Sequence, residues 1–189
     1  MEEYKPSDYQ KIKISALWDS LKRFDGYIST VNFKSGLLAT FNSAIFAGVI
    51  LKSNEIISAV NGFYKFFLLI NLMAVGLASL LSIYWVVKSI WPNLSSSSTA
   101  GRGDPSVFFF DSVAENFTAE KYIEKIKDIT FQELESDLSR QVHEVAVITS
   151  DKIKKISVAS RIAVVNLALL SLLMLVFIYA VSGLKICHG

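Results

Sequence analysis

Apolar positions along the chain fall into two patterns, helical stripes and uncharged blocks. Three blocks carry no Asp, Glu, Lys or Arg: Gly36–Leu51, Phe66–Val87 and Ile162–Leu184. At 1.5 Å rise per residue they extend roughly 24, 33 and 35 Å, against a bilayer core of about 30 Å. The second and third predict full membrane spans, and the first a short one. The stripes flank them. Ser7-Asp8-Tyr9-Gln10 has the spacing of a capping box, and Ile14, Leu17, Trp18, Leu21, Phe24, Ile28 and Val31 then recur at helical spacing. Gly26 is a place where that arm softens. Thr118 is placed to cap a short charged helix. Thr130-Phe131-Gln132-Glu133 is a second capping box, followed by Phe131, Leu134, Leu138, Val142, Val145 and Ile148 on one face. No Gly or Pro stands between Pro105 and Gly183, which predicts a helix running into the third span without a break. The knot Ser106-Val107-Phe108-Phe109-Phe110 reads as a short strand or an apolar wedge.

Charge orients this plan. The arm 1–35 holds six Lys and Arg and the segment 88–161 holds ten, whereas the loop 52–65 holds two and the tail one. With three spans the split is sixteen against three, which places the arm and the 88–161 segment in the cytosol. The expected organisation is a cytosolic amphipathic arm (1–35), two transmembrane helices with a short external loop (36–90), a flexible linker (91–104), a small cytosolic sensor domain (105–160), and a third transmembrane helix with an external tail (161–189). The fold class is an all-α membrane protein. The first apolar block lies behind the arm, which does not suit a signal peptide.

Composition narrows the chemistry. The chain is 52% hydrophobic with a net charge of +2, which gives no call for a nucleic-acid polymer as partner. One cysteine, Cys187, excludes an internal disulfide, and two histidines, His143 and His188, do not make a usual zinc site. No nucleophile–base pair or phosphate loop stands out, so no enzyme, cofactor or metal is expected. The Arg102-Gly103-Asp104 triplet and the sequons at Asn93 and Asn116 are read as chance.

Within the blocks, Gly36, Thr40, Ala44 and Gly48 form a small-residue ridge that admits a close helix neighbour, in this chain or a second copy. Each span holds one amide: Asn42, Asn71 and Asn166. Asn42 and Asn166 lie at a similar depth, roughly 6–9 Å by helical rise, and suit either interhelical bonding or a pore lining. Trp85 and Trp91 bracket the end of the second span as an interfacial belt. In the sensor segment, Arg140, Gln141, His143 and Lys152 form a candidate ligand set. Arg and Lys hold phosphate, and Gln or His reads a base or ribose. The same residues also suit a solvated helix face with one satisfied histidine.

Three blocks resemble the membrane effectors of Pycsar, the bacterial pyrimidine-cyclase anti-phage system. Lys34-Ser35-Gly36-Leu37-Leu38-Ala39-Thr40-Phe41-Asn42 is similar to the start of the family's first span. Ser106-Val107-Phe108-Phe109-Phe110-Asp111-Ser112-Val113-Ala114 resembles its S-L-(I/L)-F-F-G-(D)-I-A block. Asp137-Leu138-Ser139-Arg140-Gln141-Val142-His143, with Lys152 after it, resembles its D-L-x-x-Q-(I/V)-H...K helix. The chain departs from the pattern at Asn32, where Asp is frequent, and at Asp111, where Gly is usual. The resemblance implies an effector of the bacterial inner membrane, activated by cyclic CMP or cyclic UMP from a cognate cyclase. It would then impair membrane integrity and cause abortive infection. The expected ligand contacts are Arg140, Gln141, His143 and Lys152 with Phe109 and Asp111. The expected partners are membrane lipid, the nucleotide and further copies of the chain. A ligand-independent holin-like toxin and a membrane adaptor are the alternatives.

Overall fold

A computed structural model describes residues 7–91 and 105–186. Five helices follow in order: α1 (Asp8–Ser58), α2 (Gly62–Ile90), α3 (Phe110–Asn116), α4 (Ala119–Asp128) and α5 (Phe131–Ile186). No strand occurs among the described residues. Three helices, α1, α2 and α5, are long and apolar enough to cross a membrane. The linker beyond Trp91, the Asn93 sequon and the tail residues Cys187 and His188 lie outside the described residues.

The starts of the helices follow from local chemistry. The Ser7 hydroxyl accepts from the Gln10 amide, and the Gln10 side chain accepts in return from the Ser7 N–H at 2.8 Å. Thr130 and Glu133 reciprocate in the same way at the head of α5, and Thr118 caps α4. Between α1 and α2 the backbone reverses at Gly62, whose φ of +64° is left-handed.

Two features fix what the sequence left open. The arm and the first span are a single helix of 51 residues that runs on through Gly26 and residue 35. A lone glycine weakens a helix by about 1 kcal/mol relative to alanine, too little to end it without a proline or a cap. The Ser106–Phe110 knot forms no strand; it is a wedge that ends at the first residue of α3.

The chain divides into two compact units. The first comprises the described residues within Met1–Thr30 and Pro92–Asp151. Val107 and Leu138 are buried at its centre, and Trp18 meets Phe108 edge-on at 5.3 Å. An ion pair joins Lys13 to Glu135.

The second unit comprises the described residues within Val31–Trp91 and Lys152–Gly189. Two apolar clusters hold it, Val60 with Leu68, Leu72, Leu173 and Ala180, and Val31 with Val86, Ile156 and Ala159. Its polarity is inverted. Ser35, Asn42, Ser79, Ser82, Ser89 and Asn166 are fully buried, while Leu69, Leu77, Leu81, Val164 and Leu175 face outward. Water would penalise that surface; lipid hydrocarbon does not.

Candidate functional site

The first unit contains a clamp. Asp137, in the second turn of α5, accepts through Oδ2 from the Ser106 hydroxyl at 3.0 Å and from the Val107 N–H at 2.9 Å. Gln141, one turn on, donates to Ser106 Oγ at 3.2 Å. The Tyr122 hydroxyl donates to the Val107 carbonyl at 3.0 Å, and Ser106 Oγ also accepts from the Phe109 N–H. A chain reversal with no strand or helix partner has its polar groups satisfied from α4 and α5 in this way. Asp137 Oδ1, by contrast, is buried without a hydrogen-bond partner.

Beside the clamp is a cavity of about 300 Å³, lined by Val107, Lys125, Glu133, Asp137 and Arg140 among others. Glu133 is held below the usual carboxylate range, first by the Thr130 backbone N–H and then by the Thr130 hydroxyl and Lys125. Glu144 is raised, chiefly by burial, with Asp137 adding to the rise and Arg140 and His143 opposing it. A carboxyl with a raised folded pKa contributes stability that is fully present below its unfolded pKa and is lost as pH rises through the folded one. Glu144→Gln is therefore expected to raise the melting temperature at pH 7. Its advantage over the native chain should vanish below about pH 4 in a thermal titration, because the native carboxyl is then protonated as well.

The anticipated ligand residues do not all converge. Arg140 lines the cavity. Gln141 is buried and engaged with Ser106. His143 is exposed and does not line the cavity. Phe109 precedes α3 and its ring lies tilted at 47° to that of Phe110, centroids 5.0 Å apart, and Asp111 lies in the first turn of α3. Lys152 belongs to the second unit, where its ammonium donates to the carbonyls of Ser89 at 2.8 Å and Ile90 at 3.5 Å. A cation at that position satisfies carbonyls left over at the end of α2 and complements the helix dipole. The sequence pattern did not single out Asp137, Ser106 or Lys125 as candidates. Asp137 stood in view within the third motif, but only the folded reversal gives its carboxylate a partner.

The second unit contains a polar seam. Asn166 Nδ2 donates to Ser79 Oγ at 2.8 Å and lies 3.4 Å from Asn42 Oδ1, joining all three spans. Asn42 Nδ2 returns to its own helix at the Leu38 carbonyl. Farther along, the Ser82 hydroxyl donates to the Ala159 carbonyl at 3.1 Å and the Ser89 hydroxyl to the Lys152 carbonyl at 3.3 Å. Ser35 Oγ, Asn71 Oδ1 and Asn166 Oδ1 are buried without partners, so the seam holds unused hydrogen-bonding capacity. The small-residue ridge lies apart from it. Gly36, Thr40, Ala44 and Gly48 are exposed, and a Cβ added at Gly36 or Gly48 would meet nothing within 4 Å.

No curated protein and no solved structure matches the chain. Residues 16–180 match the family described as the Pycsar effector protein domain, a span that includes all three candidate membrane helices in large part, the clamp and the seam. The chain is a membrane protein that belongs to the Pycsar effector family.

Proposed function

We propose that this chain is an inner-membrane effector activated by a cyclic pyrimidine mononucleotide, cyclic CMP or cyclic UMP, and that activation breaches the membrane and ends the infected cell. The observation that carries this reading is the polar seam buried inside an apolar-surfaced bundle of a Pycsar effector. Parting of the helices would present hydroxyls and amides to water, as a conducting path requires. The ligand would enter the cavity at Arg140, whose guanidinium suits a phosphate. α1 and α5 each carry residues of both units on one unbroken helix, which supplies a covalent route from ligand to membrane. The positive charges around the first unit support a cytosolic position for it.

Three helices enclose a seam and not a wide channel, so the active form is a homo-oligomer. The exposed ridge of Gly36, Thr40, Ala44 and Gly48 is suited to packing between copies. Gly36→Leu with Gly48→Leu is expected to shift cross-linked species in membranes from oligomer to monomer. An unchanged ladder would remove the ridge from the interface.

The experiment for the function is dye release from proteoliposomes containing the full chain, with cyclic CMP, cyclic UMP or no nucleotide. Release confined to one or both nucleotides supports the reading. Equal release in all three favours a holin-like toxin. Silence throughout, with the protein inserted, favours an adaptor that acts by recruiting a partner.

A further inference from the structure

The cavity beside the clamp is lined by two cations, Lys125 and Arg140, and two carboxylates, Glu133 and Asp137, and Asp137 Oδ1 is buried and unpartnered. At about 300 Å³ it stands at the lower end of the sizes that hold small ligands. Its two kinds of group ask for a molecule with an anion at one end and an N–H donor at the other. Lys125 is partly engaged by Glu133 at 3.8 Å, which leaves Arg140 as the main cation for a phosphate. The two Asp137 oxygens have different duties. Oδ2 is occupied by Ser106 and Val107, so only Oδ1 is available to a ligand. Asp137 lines the cavity, and a ligand N–H would reach Oδ1 through rotation of the carboxylate, which moves Oδ2 with it.

We propose that Asp137 selects the base of the activating nucleotide, taking cytosine over uracil. This rests on the reading of the ligand as a cyclic pyrimidine mononucleotide. Cytosine carries an exocyclic amine, a donor, where uracil carries a carbonyl oxygen, an acceptor. A carboxylate only accepts. Uracil does offer its ring N–H, but that donor lies between two carbonyl oxygens, and both would face the carboxylate charge. A single buried acceptor therefore suits the amine. Asp137→Asn inverts the logic. The amide carbonyl takes over the bonds from Ser106 and Val107, and the amide nitrogen replaces Oδ1 as a donor, which suits uracil.

The test is calorimetric titration of the full chain in detergent micelles with cyclic CMP, cyclic UMP and the N4,N4-dimethyl derivative of cyclic CMP. The native chain is expected to bind cyclic CMP at least roughly tenfold more tightly than cyclic UMP, the scale of one well-matched base contact. The dimethyl derivative, which lacks both amine hydrogens, should fall to the cyclic UMP level on the unaltered protein. Asp137→Asn should lose or reverse the preference. Equal or tighter binding of cyclic UMP by the native chain overturns base selection while leaving activation by a pyrimidine nucleotide intact. So does a dimethyl derivative that binds as well as cyclic CMP, or a preference for cyclic CMP that survives in Asp137→Asn. Binding of neither nucleotide by the native chain overturns both this proposal and the reading on which it rests.

Discussion

Asp137→Ala is expected to free the 105–109 reversal from α5 and to raise amide exchange there by about a hundredfold. Its Oδ2 is the acceptor for both the Ser106 hydroxyl and the Val107 N–H, and Val107 is 2% exposed. Deleting the carboxylate leaves a buried backbone donor without a partner, and hydrogen bonds to a charged group are the stronger kind. A local loss of about 3 kcal/mol follows. Ser106 would still bond to Gln141, but that contact positions only the hydroxyl. Hydrogen–deuterium exchange of the full chain reads the effect on peptides covering 105–117. Leu138, buried on the neighbouring α5 position, serves as the internal control for general unfolding. Exchange that rises equally across α5 would show that Asp137 supports the whole unit and not the clamp.

The second large effect is expected at the seam. Asn166→Leu removes the amide that bonds Ser79 and approaches Asn42, and puts apolar bulk where the spans meet. Nucleotide-triggered dye release should fall at least tenfold, because the path would lose its central polar groups. Stability should change much less. Hydrogen bonds between membrane helices are worth on average about 0.6 kcal/mol, since the separated helices find other partners. The measurement pairs dye release with thermal unfolding in micelles. A variant that releases dye normally would assign Asn166 to packing alone. A cycle of Asn42→Ala and Asn166→Ala would give their coupling, which the 3.4 Å separation places at the weak end.

The helical plan was legible because its causes are local. The capping boxes at Ser7 and Thr130 hold their spacing within one turn, and the bonds between their members appear in the structure. The absence of Gly and Pro between Pro105 and Gly183 gave the continuity of α5, and the uncharged blocks gave the three helices long enough to span. That Asn42 and Asn166 could meet at one level followed from counting residues at a fixed rise, and the two amides lie 3.4 Å apart. Composition changes at residue 35 while the helix runs on through it, because nothing there gives the backbone a reason to stop. Charge marks where a helix could leave a membrane, and it does not end the helix.

Other features depended on contacts far apart in the chain. Ser79 is one of several serines in α2, and only the packing of α5 makes it the partner of Asn166 across 87 positions. Lys152 stands eleven positions after Gln141 on one helix, and its amine caps the end of α2 from 63 positions away. Asp137 has no local partner at all; the reversal at Ser106 brings it two, 31 and 30 positions away, and leaves one oxygen unpaired. Helices, caps and spans arise from neighbours within four residues, so the order of amino acids was enough to read them. Which polar groups meet, and which stay unpaired, depends on how helices distant in sequence pack, and so was visible only in the folded chain.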